Sequence, residues 1–278
     1  MIVKKLQLRI TKATQLRKFR KVKTLQWILT HSFAAKAIAV RNVLQNKGSK
    51  TPGVDGIIIK TPEQKLALVY NMKRRGYQPS PLRRIYIPKA GNKQKLRPIS
   101  IPTIADRCQQ ALHTLALDPV SEATADVNSY GFRQQRCCAD AIEQTFIALA
   151  RTTSPQWILE GDIKGCFDHI SHQWMSSNIC TDKVMLNKWL KAGFIETGKL
   201  FPTTEGTPQG GIISPVVCNM TLDGIALLLK DKFTKYKGIH FIRYADDFIV
   251  TGHSKEVLEN EIKPAITAFL QLRGLELS

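Results

Sequence analysis

Two adjacent carboxylates near the end of the chain are the residues with the clearest potential for chemistry. Asp246 and Asp247 lie in a Tyr-Ala-Asp-Asp segment at residues 244–247, between apolar runs at residues 239–243 and 248–251. Aromatic and β-branched residues on both sides of a polar pair predict a hairpin with its carboxylates at the turn. Adjacent ionised carboxylates repel each other, so a cation would stabilise them, and hard oxygen ligands suit Mg²⁺. The same pair is also typical of an ordinary polar turn.

A third carboxylate, Asp162, favours the metal-site interpretation. It lies near the end of a predicted strand at residues 157–163. If this strand and the carboxylate hairpin are neighbours in one sheet, Asp162 and Asp246 can jointly bind two Mg²⁺ ions about 3.5–4 Å apart. One ion would lower the pKa of an attacking hydroxyl, and the other would stabilise a leaving pyrophosphate. The sequence therefore predicts a two-metal centre for phosphate chemistry.

Three further side chains are candidates for contacting a nucleotide. Phe167 lies five residues beyond Asp162, where its ring could lie beneath a sugar and exclude a 2′-hydroxyl; a core aromatic is the alternative. Lys89 and Arg97 are predicted to face each other across a basic hairpin. A lysine point charge and a bidentate arginine suit a triphosphate, although exposed charges that protect a sheet edge would have the same pattern.

A glycine-rich loop precedes a predicted helix at residues 215–230. Residues 206–211 are Gly-Thr-Pro-Gln-Gly-Gly, followed by Ile-Ile-Ser-Pro at residues 212–215. Glycines let backbone amides approach a substrate closely, and Gln209 offers both a donor and an acceptor to a sugar or base. A glycine loop alone is a weak signal, but this run with its flanking residues is specific.

The positive charge of the chain is concentrated at its N-terminus. The formal net charge is +19, residues 4–50 contain 13 Lys and Arg, and no acidic residue precedes Asp55. Such a block neutralises phosphates and releases counterions, so nucleic acid is the expected partner. An organellar transit peptide and a merely solvated basic face are the alternatives. The candidate RNA-binding residues in this block are Lys12, Arg17, Lys18, Arg20, Lys21 and Lys23.

The remaining composition excludes several classes of protein. The six cysteines form no Cys-x-x-Cys pair and have no disulfide-like spacing, which predicts reduced thiols in a cytosol-like compartment. No apolar run approaches the roughly 18 residues of a membrane span, so no membrane partner is expected. These features favour the cytoplasm of a bacterium, or an organelle if the host is eukaryotic.

The distribution of helix and strand patterns predicts an α+β fold. A helical pattern covers residues 2–46, and two basic strands form a hairpin at residues 82–101. Mixed helices with antiparallel hairpins argue against a doubly wound sheet. Residues 274–278 resemble a turn that feeds a strand with no room to form, so the chain looks cut short. An unfinished sheet edge would favour self-association.

Together these motifs resemble those of group II intron reverse transcriptases, also called intron-encoded maturases. The resemblance covers essentially the whole chain, in the right order. Its strongest blocks are residues 96–102 with Asp106 and Arg107, the strand ending in Asp162 with Phe167 and Asp168, residues 206–215, and residues 244–247. Weaker matches are the basic N-terminus, residues 51–56 (Thr-Pro-Gly-Val-Asp-Gly) and residues 130–133 (Tyr-Gly-Phe-Arg).

The resemblance implies the fingers and palm of a right-hand polymerase, with an antiparallel palm sheet and a basic helical N-terminal extension. The implied boundaries are 1–56 for the extension, 57–154 for the fingers and 155–278 for the palm. In the family's pattern, the metal ligands are Asp162, Asp246, Asp247 and the Ile163 carbonyl. The nucleotide-binding residues are Lys89, Arg97, Phe167, Gln209 and Gly210.

The implied activity is RNA-directed DNA polymerisation with two Mg²⁺ ions and deoxynucleoside triphosphates (dNTPs). The implied partners are an intron RNA template and a DNA primer or target. Family members continue into a thumb, for which the sequence shows no segment. An RNA-binding splicing cofactor with little or no polymerase activity is therefore the alternative, and a stranded fragment and retron-type relatives also stay open.

Overall fold

Helices and two separate β-sheets form the fold, which confirms the predicted α+β class. The computed structural model describes residues 1–89 and 92–278, apart from the side chains of Lys89, Asn92, Lys93 and Lys95. The strands are β1 (Leu82–Lys89), β2 (Asn92–Ile101), β3 (Trp157–Asp162), β4 (Phe194–Glu196), β5 (Lys199–Phe201), β6 (Phe241–Tyr244) and β7 (Asp247–Gly252).

The helices differ widely in length, and several are short. They are α1 (Ile2–Gln15), α2 (Phe19–His31), α3 (Phe33–Gln45), α4 (Pro62–Asn71), α5 (Ile104–Thr124), α6 (Cys138–Leu149), α7 (Cys166–His169), α8 (His172–Asn178), α9 (Lys183–Leu190), α10 (Ser214–Leu222), α11 (Ile225–Lys232), α12 (Lys255–Val257) and α13 (Lys263–Gln271). A π-helical turn, Leu258–Ile262, joins the last two.

The N-terminal helical pattern forms three helices. Arg17 adopts a left-handed conformation (φ 53°) between α1 and α2, and the Ser32 hydroxyl accepts a hydrogen bond from the Ala35 amide to cap α3. All three helices pack on α5, and Ile10, for example, is fully buried. Because their apolar faces belong to the same hydrophobic core as the helices near the C-terminus, the basic N-terminal segment is an integral part of the fold.

The loop after α3 is fixed to the start of α5. The Arg107 guanidinium donates hydrogen bonds to the carbonyls of Gly48 and Thr51. A Cβ at Gly53 would lie 2.7 Å from the backbone of Thr103, so only glycine allows this approach. The Thr-Pro-Gly-Val-Asp-Gly segment is therefore a loop that packs against the start of α5.

The first sheet has the strand order β2-β1-β4-β5, and β1 runs antiparallel to β2 and parallel to β4. Arg97 pairs with Ile87, and Lys89 pairs with Asn92. The prediction that Lys89 and Arg97 face each other is therefore wrong, because the regular register of β1 and β2 already places Arg97 opposite Ile87. A bulge between Pro88 and Lys89 then places Lys89 opposite Asn92.

The second sheet has the antiparallel order β3-β7-β6 and holds the carboxylate hairpin. The last residues of the chain pair beside its edge: Ser278 N donates to the Asp162 carbonyl at 2.8 Å, and Ile163 forms an isolated bridge with Leu277. The expected final strand is thus reduced to one bridge.

Within residues 1–89 and 92–278, none of the helices combines the length and apolar character needed to cross a bilayer.

His113 is expected to make the protein less stable in mild acid. Burial lowers the pKa of this imidazole from 6.5 to about 4. Between these values the unfolded chain binds more protons than the folded one, so stability present above pH 6.5 is lost as the pH falls towards 4, by up to about 3 kcal/mol. Urea unfolding at several pH values measures this loss. His113→Gln should flatten the pH dependence, and an unchanged dependence would contradict the assignment.

Candidate active site

The predicted carboxylate hairpin is present, and its turn is strained. Tyr244 pairs with Asp247, so Ala245 and Asp246 form a two-residue turn between β6 and β7. Ala245 is buried and adopts φ 58°, a conformation that favours glycine. Non-glycine residues held in this region are concentrated at functional sites.

Asp162 and Asp247 are directly opposite each other across β3 and β7. Directly opposite residues in an antiparallel pair have their Cβ atoms about 4.5–5.5 Å apart on the same face of the sheet. The next pair, Gly161 and Phe248, points to the other face, where a Cβ at Gly161 would lie 2.3 Å from the Phe248 ring. This glycine lets the ring enter the core while the two carboxylates stay exposed.

The electrostatics of these carboxylates fit a cation-binding role. Partial burial, and then the charges of Asp246 and Asp162, raise the pKa of Asp247. Their mutual repulsion is the kind that a bound cation relieves, and their hard oxygen atoms suit Mg²⁺. Among the described residues, no three His, Cys, Asp or Glu side chains are gathered closely enough to hold a metal ion. The two-metal site therefore stays a prediction.

Phe167 lies on the short helix α7, next to the glycine-rich loop. The Thr207 amide donates to the Phe167 carbonyl at 2.6 Å, and the Gly206 amide donates to the Ile170 carbonyl at 2.8 Å. A Cβ at Gly206 would lie 2.5 Å from the Asp168 carbonyl oxygen, and its φ is 77°. The glycine is thus required for the loop to lie against α7.

The same loop also contacts the end of β2. The Ser100 amide donates to the Gln209 carbonyl at 2.7 Å, and a Cβ at Gly210 would lie 2.7 Å from the Ser100 carbonyl oxygen. The Gln209 side chain donates to Asp168 at 3.3 Å. The loop therefore connects α7 with the end of β2, and Gln209 contacts both.

A cleft of about 690 Å³ lies between these elements. Eight predicted site residues line it: Arg97, Asp162, Ile163, Phe167, Gln209, Gly210, Asp246 and Asp247. The side chain of the ninth predicted site residue, Lys89, lies outside the described part of the structure. The six predicted RNA-binding cations are on α1, α2 and the turn between them, where all six are exposed.

Sequence reasoning missed a buried ionic network beneath the hairpin. Arg243 is fully buried and donates to the Ala245 carbonyl at 3.0 Å, to Asn219 at 3.0 Å and to Asp223 at 2.7 Å. Arg133 donates to both oxygens of Asp223 at 2.9 Å. The network fixes the carbonyl of the strained turn residue. The feature of the sequence that could have indicated this network is Arg133 in the Tyr-Gly-Phe-Arg segment.

Phe132 is a second residue that sequence reasoning did not assign to the site. It adopts φ 60°, which is unusual for a bulky residue, and lines the same cleft. Its ring meets the Phe167 ring edge-on, with centroids 5.8 Å apart. The neighbouring Gly131 is so close to the hairpin turn that a Cβ there would lie 2.3 Å from the Ala245 nitrogen. This segment therefore positions both Phe167 and the turn.

Comparison with protein families identifies the class to which this fold and cleft belong. A family model described as reverse transcriptase (RNA-dependent DNA polymerase) matches residues 87–278, and one described as the N-terminal domain of reverse transcriptase matches residues 1–72. The chain belongs to the reverse transcriptase family. This membership implies a polymerase fold with fingers and palm.

The relatives confirm the resemblance to group II intron proteins. The group II intron-encoded protein LtrA of Lactococcus lactis is 34% identical over 247 residues, which are 86% of this chain and 39% of LtrA. Protein YkfC of Escherichia coli is 34% identical over 244 residues, 83% of this chain and 64% of YkfC. An uncharacterized 91 kDa protein in a cob intron of Schizosaccharomyces pombe is 27% identical over 87% of this chain and 37% of its own length. The chain spans less than two thirds of each relative.

Proposed function

We propose that this protein is the RNA-directed DNA polymerase of a group II intron, which adds dNTPs to a primer 3′-hydroxyl on an RNA template. The observation that carries the proposal is the direct pairing of Asp162 with Asp247 beside the strained turn that presents Asp246. Family membership and the similarity to LtrA support the same activity. We assign residues 57–154 to fingers, 155–278 to palm and 1–56 to the N-terminal extension.

The metal ligands in this proposal are Asp162, Asp246, Asp247 and the Ile163 carbonyl. When bound, two Mg²⁺ ions would lower the pKa of the primer hydroxyl and stabilise the departing pyrophosphate. The chain's own contribution is a turn held in place by Arg243, so that the carboxylates are oriented before substrate arrives.

The proposed nucleotide pocket is formed by other residues that line the same cleft. Arg97 is exposed at its rim and would bind the triphosphate through its guanidinium, with Lys89 from the neighbouring strand. Gln209 and Gly210 would contact the sugar or base. The Phe167 ring would lie beneath the sugar, with its angle fixed by Phe132.

The N-terminal helices are proposed to bind intron RNA. Lys12, Arg17, Lys18, Arg20, Lys21 and Lys23 are exposed around the junction of α1 and α2. Their charges would neutralise backbone phosphates, which makes the binding sensitive to salt. This surface favours a second candidate function, an RNA-binding splicing cofactor in which polymerisation is incidental.

Primer extension tests the proposal and separates the two functions. The intact chain, a DNA primer annealed to an RNA template, dNTPs and Mg²⁺ should give extended primer, and chelation of Mg²⁺ should stop the reaction. RNA affinity is measured in parallel by filter binding. Absence of extension together with tight RNA binding would overturn the polymerase proposal in favour of the splicing cofactor.

Phe167→Ala is expected to relax discrimination between deoxyribonucleotides and ribonucleotides by about 10- to 100-fold. Removing the ring leaves space for a 2′-hydroxyl, which a shaped pocket otherwise rejects. Single-nucleotide insertion kinetics give kcat/KM for dNTP and rNTP substrates. Phe167→Tyr keeps the ring and should retain discrimination. If Phe167→Ala lost stability but kept its discrimination, the ring would be a core aromatic instead.

A further inference from the structure

We propose that a basic cleft beside α2 binds single-stranded RNA, with one base stacked on Trp27. This Trp27 cleft consists of two adjoining cavities of about 210 and 340 Å³ that share Trp27, Thr30, Arg74 and His113. None of the residues that line the carboxylate cleft lines either cavity. The inference rests on the proposed RNA-dependent function and adds a distinct contact for the RNA.

The aromatic platform is already in place in the free protein. The helix α2 buries Val22, Leu25 and Leu29, whereas 58% of Trp27 is exposed. The His31 ring stacks on the indole with centroids 4.3 Å apart and an angle of 26°. The His31 Nδ1 donates to the Trp27 carbonyl at 2.8 Å, which fixes the imidazole. An exposed, braced indole is a suitable surface for stacking an unpaired base.

The cleft also has an excess of positive charge. Lys36, Lys73 and Arg75 line the larger cavity, and Lys23 lines the smaller one. In the part of the chain that the structure describes, none of these four forms an ion pair. Four cations around an aromatic surface are therefore available to bind backbone phosphates.

The single acidic group that lines the cleft, among the described residues, is already engaged. Asp182 accepts two hydrogen bonds from the Arg74 guanidinium, so it neutralises that arginine and leaves the other cations unpaired. His113 contributes no charge at neutral pH, because burial lowers its pKa to about 4. The cleft is thus selective for an anionic ligand.

The combination of stacking surface and cations favours single-stranded RNA over other polyanions. In duplex RNA the bases stack on one another, so a braced indole would find no free base, whereas unpaired bases stack readily on aromatic side chains. An acidic peptide would engage the cations but would leave the indole unused. A cavity of about 340 Å³ is in the size range of small-ligand sites and suits one nucleotide unit.

Binding of a labelled oligonucleotide tests the proposal. The probe is a fluorescein-labelled oligouridylate of about 12 nucleotides, titrated with the full chain in an anisotropy assay. Trp27→Ala should weaken binding about tenfold without changing the salt slope, and Trp27→Phe should retain most of the affinity. Trp157→Ala, at another exposed tryptophan on β3, is the matched control and should bind like the wild type. Lys73→Gln and Arg75→Gln should each reduce the salt slope by about 0.7.

Three results would overturn the inference. Trp27→Ala could bind the oligouridylate as tightly as the wild type. It could weaken binding to a blunt RNA duplex by the same factor, which would indicate a structural role. Polyglutamate could compete in a Trp27-dependent manner, which would indicate a peptide site. Wild-type primer extension is measured separately, so failure of this site is distinguishable from failure of the polymerase proposal.

Discussion

Asp246→Asn is expected to reduce primer extension by about 10³- to 10⁴-fold while leaving RNA affinity within about twofold. The amide keeps the size of the side chain but removes a negative charge that would bind metal, and lost metal stabilisation of the transition state is worth several kcal/mol. RNA affinity should persist because the proposed RNA contacts are on α1 and α2. Steady-state extension and filter binding measure the two quantities.

The stability of this variant should not fall with its activity. Asp246 is one of the charges that raise the pKa of Asp247, so its removal relieves repulsion and should leave the metal-free protein equally or more stable. Asp231→Asn, at an exposed residue on α11 that does not line the cleft, is the matched control and should keep full activity. A variant that lost RNA binding as severely as extension would show that Asp246 is structural.

Asp223→Asn is expected to lower the free energy of unfolding by about 3–5 kcal/mol, the cost of removing one partner from a buried ion pair. The Asp223 side chain is 6% exposed and bridges Arg133 and Arg243, whose side chains are 1% and 0% exposed. Burial raises the pKa of Asp223, and the two guanidiniums oppose that shift. Among the described residues, the asparagine would leave the fully buried Arg243 without an ion-pair partner, whereas Arg133 would keep its ion pair with the half-exposed Glu122. Guanidinium chloride unfolding measures the loss.

A surface ion pair provides the control for this prediction. Glu259 and Lys255 form an i,i+4 pair at 3.8 Å with both side chains more than half exposed. Glu259→Gln should therefore cost about 0.3–0.5 kcal/mol. If Asp223→Asn cost no more than Glu259→Gln, the buried network would not hold the hairpin together.

The carboxylate hairpin was predictable because its determinants are local. Alternating aromatic and β-branched residues flank a polar pair within about ten positions, so the sequence specifies both strands and the turn. The pairing of β3 with β7 joins segments that are distant in sequence, so from the sequence it could be stated only as an assumption behind the metal site. It followed from the requirement that Asp162 approach Asp246.

The buried state of Arg243 was not predictable from its neighbours. An arginine at a strand position next to the exposed Tyr244 looks like a solvent-facing residue, and its partners Asn219 and Asp223 are 20 or more residues upstream. The left-handed conformation of Phe132 also has no local signal, and its ring contact is with Phe167, which is distant in sequence. Such features follow from tertiary contacts and not from propensity.

The end of α1 was missed for a similar reason. No glycine or proline interrupts residues 2–46, yet the chain turns at Arg17 so that α1 and α2 can both pack on α5. The short strands β4 and β5 were also missed, since three residues each are too few for a period-2 pattern.

The burial of α1 sets a practical limit on protein engineering. Val3, Leu6 and Ile10 sit in the common core, so a shortened derivative that starts at α2 would expose that apolar surface and is prone to aggregate. Variants that test the proposed RNA contacts should therefore change surface charges and keep α1 intact.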